Sequence, residues 1–354
     1  MNYKQVLKEI QPLDTDAKLK AGARLDSLIK PIGSLGKLED IARQISGITG
    51  EIINKVDKKC TVIMAADNGV VEEGVSTAPK EITAMQTINI LNGLAGISVL
   101  SKQAKAEIRV IDIGVAGDIS HKNLISKKVK MGTGNIAMGP AMTTEEAIKA
   151  IEIGIDIIKE LHTEGYNLIG TGEMGIGNTT TSSAVLMCLT GADANRSVGK
   201  GAGMSDDALE HKKRVIERAI NLNNPNKNDP IDVVAKVGGL DIAGLVGCYI
   251  GAAYYRIPIV IDGVISAAAA LLAYRLNPIT KDYMIPSHYS EEPAFKHIME
   301  SMNLEPNLHL NMRLGEGTGC PLMFHIIESA LAVISEMATF DQLQMDNDFL
   351  VDIR

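Results

Sequence analysis

Two glutamates stand out because each is set among glycines. Glu173 lies in Gly170-Thr171-Gly172-Glu173-Met174-Gly175-Ile176-Gly177. Glu316 lies in Arg313-Leu314-Gly315-Glu316-Gly317-Thr318-Gly319. Glycines at this density let a backbone close tightly around something. After Gly177 come Asn178, Thr179, Thr180, Thr181, Ser182 and Ser183, then the apolar run Ala184-Val185-Leu186-Met187. With the apolar run Tyr166–Ile169 in front, the order reads as strand, glycine loop and capped helix N-terminus. Such a junction presents free backbone N–H groups and the positive end of a helix dipole, which suits a phosphate. An anion-binding loop has no obvious use for Glu173, so that charge needs a second explanation.

Two nucleotide motifs fit this stretch poorly. Gly170-Thr171-Gly172-Glu173-Met174-Gly175 matches the dinucleotide fingerprint G-x-G-x-x-G, which wants an acid after the next strand, about 20 residues on. Asp193 stands near that distance but follows Gly191 in a loop with no second strand before it. The triphosphate loop ends in Gly-Lys-Ser/Thr, and here Asn178-Thr179 follows the glycine. The reading is a phosphate site of neither kind.

The composition narrows the class. The chain has 354 residues, 45% hydrophobic and 22% charged, enough for a sizeable core in one large domain with an appendage, or in two domains. Tryptophan is absent and aromatics are 3%, so a ligand ring must rest on aliphatic, Met or backbone surface. The net charge is −8, and Lys127-Lys128 and Lys212-Lys213-Arg214 are too short to suggest a nucleic-acid surface. Cys60, Cys188, Cys248 and Cys320 are scattered without a C-x-x-C pair and read as reduced thiols. The histidines show no ligand spacing, so no structural metal is expected. The N-terminus is polar and amphipathic, unlike a signal peptide. The apolar stretch 240–255 holds Asp241 and glycines, and is too short to span a bilayer. The expectation is a soluble, cytoplasmic protein without a membrane or nucleic-acid partner.

Further elements must position these groups. Residues 1–50 read as helices, with 15–30 stopped by Pro31, a loop at 30–36 and a helix at 38–48. Cys60–Ala66 and Ile108–Ile113 read as buried strands, each followed by a polar loop, at 67–79 and 114–118. Thr83–Lys102 reads as one helix with Gln86 in its first turn. Residues 119–142 are less regular. Thr143 and Glu146 have capping-box spacing and open a helix to about His162. Another glycine cluster spans 199–204, and a helix carrying Lys212 and Lys213 spans 206–222. Gly238-Gly239-Leu240-Asp241 opens a small-residue helix. A strand at 257–261 ends in Asp262-Gly263, a helix follows at 264–276, and 283–285 reads as a last strand. Ser287–Glu292 caps the next helix. Pro321 marks a helix start, and 323–340 reads as apolar helix. The repeated order of buried strand, polar loop and helix predicts an α/β fold with a parallel sheet covered on both faces. The loops at 67–79, 114–118, 170–178 and 262–263 then gather on one edge.

Four stretches, ADNGVVEEGVS (66–76), GEMGIGNTTTSSA (172–184), DGVISAAAA (262–270) and RLGEGTG (313–319), together with KPIGSLGKLE (30–39), resemble the nicotinate-nucleotide:dimethylbenzimidazole phosphoribosyltransferases of cobalamin assembly. The resemblance runs over nearly the whole chain in the same order. It implies transfer of the phosphoribosyl group of nicotinate mononucleotide to 5,6-dimethylbenzimidazole, giving α-ribazole 5′-phosphate and nicotinate, without a cofactor. It also implies a homodimer, a Rossmann-like large domain, and a small helical domain built from both termini. The corresponding segments are 1–55, 56–300 for the large domain, and 301–354 for the C-terminal part with the catalytic loop.

The resemblance assigns residues as well. Glu316 would be the general base and Glu173 a second active-site carboxylate that steadies positive charge or holds the ribose hydroxyls. The amides around Gly175, Gly177, Asn178, Thr179 and Thr180 would take the 5′-phosphate, helped by Gly201, Gly203 and Lys212 or Lys213. Ser76 and Gln86 would line the aromatic-base pocket. Asp241, Asp262, Leu314 and Gly315 complete the substrate-contacting set. A monophosphate substrate requires no metal. Two competing readings are a non-catalytic nucleotide-binding or sensing protein, and a dinucleotide-dependent oxidoreductase.

Overall fold

The computed structural model describes residues 1–201, 203–346 and 350–354. Ala202 of the 199–204 glycine cluster lies outside the described residues. Among the described residues six strands form one wholly parallel sheet: β1 Lys59–Ala66, β2 Glu107–Gly114, β3 Leu124–Ser126, β4 Leu168–Met174, β5 Ile259–Ile261 and β6 Met284–Pro286. Their order is β3-β2-β1-β4-β5-β6. β1 is buried along its whole length and pairs with both β2 and β4, with Val62 opposite Arg109 on one side and Thr171 on the other. The strand order therefore reverses between β1 and β4. In an open α/β sheet the crevice beyond the carboxyl ends of the strands at such a switch point is where ligands sit. Asp67 and Asn68 follow β1, Glu173 stands near the end of β4, and Asp262 follows β5.

Helices cover both faces. In chain order they are α1 Tyr3–Glu9, α2 Thr15–Asp26, α3 Lys37–Thr49, α4 Ile82–Leu91, α5 Gly96–Gln103, α6 Thr144–Thr163, α7 Asn178–Thr190, α8 Ala194–Ser197, α9 Asp206–Asn223, α10 Pro230–Val237, α11 Leu240–Tyr254, α12 Val264–Leu276, α13 Pro293–Met302 and α14 Gly319–Glu336. Alternate residues of β1 divide between the faces, as strand geometry requires. Val62 and Met64 join the core formed with α6, α7, α11 and α12, whereas Ile63 and Ala65 pack with α4 and α5. α2, α3 and α14 enclose a further cluster against Leu168, Val260 and Ile285. The first and last parts of the chain thus meet, and Leu28 and Thr339 form an antiparallel bridge. The first helix, α1, instead packs Tyr3 and Val6 into the core on the α6 and α11 side.

The local signals at several ends are realised. Thr143 caps α6 and Glu146 returns the bond, a complete capping box. Asp193, Ser205 and Asp229 accept first-turn amides of α8, α9 and α10. α11 is buried from Leu240 to Ala253, and a Cβ at Gly247 would lie 1.9 Å from the Ile151 carbonyl of α6. Its small residues are needed for that close helix approach. Ile82–Gln103 and Gly319–Glu336 have the length and apolar composition of a membrane span, but the first is broken into α4 and α5 and the second is α14, half buried against α3 and the sheet.

Four differences from the sequence reading have physical causes. The helix expected over 83–102 is two helices, α4 and α5, because Gly93 turns the chain with φ +79. The irregular stretch 119–142 contributes the edge strand β3, three residues long and too brief to leave an alternation. The apolar helix expected over 323–340 starts earlier and ends at Glu336, and Pro321 is its third residue. The glycine run after Ile169 remains extended: β4 continues through Met174, so Glu173 belongs to a strand and the loop is only Gly175–Gly177.

Candidate active site

β4 shows why its glycines are needed. A Cβ at Gly170 would lie 2.6 Å from the Cys320 side chain, and one at Gly172 would lie 2.6 Å from the Glu316 carbonyl oxygen. The missing side chains let the turn at 315–319 and the start of α14 press directly on the sheet. The two glycine-set glutamates, far apart in sequence, are thereby brought together. The Glu316 amide donates to Oε1 of Glu173 at 3.4 Å.

The Glu316 turn is unusual backbone. Gly315, Glu316 and Gly317 all have positive φ, at +85, +61 and +91. A non-glycine residue in that region carries strain of about 1–3 kcal/mol and persists only where its surroundings hold it. Thr318 closes the turn from Oγ1 to the Gly315 carbonyl at 2.8 Å. The Glu316 carboxylate is held as well. Nε2 of Gln86 donates to its Oε1 at 2.6 Å, and the Ile97 amide donates to Oε2 at 3.4 Å. Asn89 in turn donates to Gln86 Oε1 at 3.1 Å, which fixes the amide orientation. The helices α4 and α5 therefore supply the donors, and their break at Gly93 lets both reach one carboxylate.

Glu173 sits in an acidic, buried setting. Asn178 Nδ2 donates to Glu173 Oε2 and, at 3.1 Å, to Asp241 Oδ2. Burial first, and then the nearby Asp241 charge, push the Glu173 carboxyl up to about 8. Burial likewise raises Asp241 to about 6 and Asp262 to about 7. Among the described residues no group of His, Cys, Asp and Glu is arranged to hold a metal ion.

The loop 175–177 leads into α7. Gly177 is the N-cap, with φ +92, and no side chain caps this helix end. This end borders the cleft through residues 175–179, while the Asn178 and Thr180 amides turn back to the Gly175 and Gly177 carbonyls at 3.2 and 3.0 Å. Lys212, fully buried, reaches the same end: Nζ donates to Thr179 Oγ1 at 2.8 Å and to the Gly199 carbonyl at 3.3 Å. Burial lowers its pKa to about 8, partly opposed by the Glu292 carboxylate. The Ile176 amide donates to Thr83 Oγ1 at 3.0 Å, tying the loop to α4.

These groups line one cleft of about 730 Å³. Ser76, Gln86, Glu173, Gly175, Gly177, Asn178 and Thr179 border it, as do Gly201, Gly203, Leu314, Gly315 and Glu316. Lys212 stands behind Thr179 rather than in the wall. Four residues named from the sequence stand apart. Lys213 turns to Asn195 at 2.8 Å and to Glu210 at 2.6 Å. Thr180 is buried outside the lining. Asp241 and Asp262 lie beneath the wall, their oxygens taken by Asn178 and by backbone amides.

The family model described as phosphoribosyltransferase matches residues 10–345. The chain belongs to this phosphoribosyltransferase family. It is 53% identical over 351 residues to the nicotinate-nucleotide–dimethylbenzimidazole phosphoribosyltransferase of Clostridium tetani, covering 99% of this chain and 97% of that one. It is 54% identical over 346 residues to the protein of the same name from Clostridium acetobutylicum, covering 98% of each. The fold is similar to the crystal structure of CobT from Thermus thermophilus, with a TM-score of 0.90 at 36% identity over 94% of this chain and 99% of that one. Neither the sensing nor the oxidoreductase reading is favoured by these likenesses.

The cleft of this phosphoribosyltransferase also contains residues that the sequence did not single out. His288, Ser290, Glu292 and Arg313 line it. His288 is buried and lowered to about 4, so it is neutral near pH 7. In the sequence the first three present themselves only as a helix cap. Their position at the end of β6, on the sheet edge shared with the other loops, is the signal available.

Proposed function

We propose that this chain transfers the 5-phosphoribosyl group of nicotinate mononucleotide to 5,6-dimethylbenzimidazole or a related base, giving α-ribazole 5′-phosphate and nicotinate. The observation that carries this reading is the Glu316 carboxylate, oriented by Gln86 and Ile97 in the cleft that also receives the α7 N-terminus. The pyridinium leaving group departs as nicotinate with a neutral ring and needs little acid help. The bond from C1′ to the pyridinium nitrogen breaks as the benzimidazole nitrogen bonds to C1′ from the opposite face. The attacking ring becomes cationic unless its other N–H is deprotonated, and Glu316 takes that proton. A developing cation at C1′ also favours the ionised form of Glu173, opposing the burial that pushes this carboxyl up. The 5′-phosphate rests at the start of α7 against the Gly177 and Thr179 amides, with Lys212 behind Thr179 and Gly201 and Gly203 alongside. The base lies against Ser76, Gln86 and Leu314.

The same reading includes cytoplasmic location, for which the four buried, unpaired cysteines are support. It includes a homodimer, supported by exposed Met85, Leu94 and Val99 on and between α4 and α5. It divides the chain into 1–55, 56–300 and 301–354, supported by the cluster that α2 and α3 share with α14.

An acceptor screen tests the reaction. The protein is incubated with nicotinate mononucleotide and, separately, dimethylbenzimidazole, benzimidazole, adenine and p-cresol, and products are separated by chromatography. A phosphoribosylated product with matching nicotinate supports the transfer and ranks the acceptors. No nicotinate above background with any acceptor contradicts it.

A further inference from the structure

Asp262 is a conspicuous acid at the end of a strand, yet both of its oxygens are spoken for. Oδ2 accepts the Gly317 amide at 2.9 Å and Oδ1 accepts the Gly319 amide at 2.7 Å. Asp262 is 1% exposed and does not line the cleft. These two amides flank Thr318, the N-cap of α14, which makes no side-chain cap bond of its own. Asp262 therefore accepts, from the end of β5, one amide of the turn and the first amide of α14, at the helix end whose dipole favours its ionised form. The bonded amides begin one residue after Glu316, whose φ of +61 needs a restraint from outside the turn. Gly317 is held on its other side as well, since a Cβ there would lie 3.1 Å from both the Gly172 Cα and the Thr171 carbonyl.

We propose that Asp262 is the positioning residue of this enzyme's base: it clamps the Gly317 and Gly319 amides and so holds Glu316 in its strained, reactive conformation. The proposal rests on Glu316 acting as the base. It assigns Asp262 no contact with substrate. His288 is the titratable neighbour on the other side, with Nδ1 3.9 Å from Asp262 Oδ1, and its own bond goes to Ser287 Oγ at 3.0 Å.

The test is a double-mutant cycle on turnover, with Asp262→Asn, Glu316→Gln and the pair. Asparagine keeps the shape but presents an NH₂ to one backbone N–H. The expected result is a fall in kcat of roughly 10²-fold for Asp262→Asn, with KM for nicotinate mononucleotide within about threefold. In the Glu316→Gln background the same change should cost less than about threefold further, because there is no base left to misplace. Multiplicative losses in the double variant, or wild-type turnover in Asp262→Asn, would overturn the proposal. If Glu316→Gln alone turns over like wild type, the assignment of the base fails first, and the clamp has no base to position. Should Asp262→Asn not fold, hydrogen exchange in the wild-type enzyme decides: amides 317 and 319 should be protected like those of β4, and exchange within seconds would refute the clamp.

Discussion

Gln86 donates from Nε2 to Glu316 Oε1 at 2.6 Å across 230 positions of sequence, joining the helix α4 to the turn before α14. The carboxylate proposed as base is thus oriented by a side chain that is itself oriented by Asn89. Replacing Gln86 with Leu removes the donor at similar volume. Turnover should fall roughly tenfold while affinity for nicotinate mononucleotide is kept, because orientation is lost and the phosphate end is untouched. Steady-state kinetics with varied mononucleotide separates the two.

Lys212 and Lys213 are neighbours in sequence and opposites in structure. Lys212 is buried behind Thr179, whereas Lys213 pairs with Glu210 and Asn195. Lys212→Met should weaken nicotinate mononucleotide binding by about tenfold or more, and Lys213→Ala should leave it near wild type. Calorimetry on both variants checks the contrast. Because Lys212 is lowered to about 8, wild-type affinity should also decline as pH rises through that value.

Gly177 has φ +92 at the N-cap of α7. A Cβ there would lie 3.4 Å from the Asn68 side chain, so the cost of Gly177→Ala is conformational more than steric. Stability should drop by about 1–2 kcal/mol in denaturant unfolding. Mononucleotide binding should weaken as well, since the amides of the loop shift.

Glu173 is raised to about 8, above its ordinary value of 4.5, first by burial and then by Asp241. A carboxyl raised on folding contributes stability that is fully present below its unfolded pKa and is lost as pH climbs through the folded one. Between those two values the unfolded chain has released the proton that the folded chain retains. Wild type should therefore lose thermal stability relative to Glu173→Gln as pH rises from 4.5 to about 8. A pH-independent difference in melting temperature would show that Glu173 is not held neutral.

The parts of this fold that announced themselves were those governed by local chemistry. Buried strands such as Cys60–Ala66, the capping box at Thr143 and Glu146, and the helix start after Gly177 need only neighbours in sequence. The glycines of β4 misled the strand boundary because their cause is distant: they admit the 315–319 turn against the sheet. The break at Gly93 went unread because apolar periodicity runs through it on both sides. Lys212 and Lys213 have the same chemistry, and only the orientation of α9 chooses between them. Asp262 was legible as a conspicuous acid after a strand, but its engagement with the two amides at the start of α14 depends on the tertiary fold.

The central claim is that Glu316 removes the acceptor proton as the glycosidic bond is exchanged. The most direct measurement is the single-turnover rate of nicotinate release, with saturating nicotinate mononucleotide and dimethylbenzimidazole, for wild type and Glu316→Gln. A slowing of roughly 10²-fold or more, with mononucleotide affinity retained, is predicted. Equal rates in the two proteins would contradict the assignment.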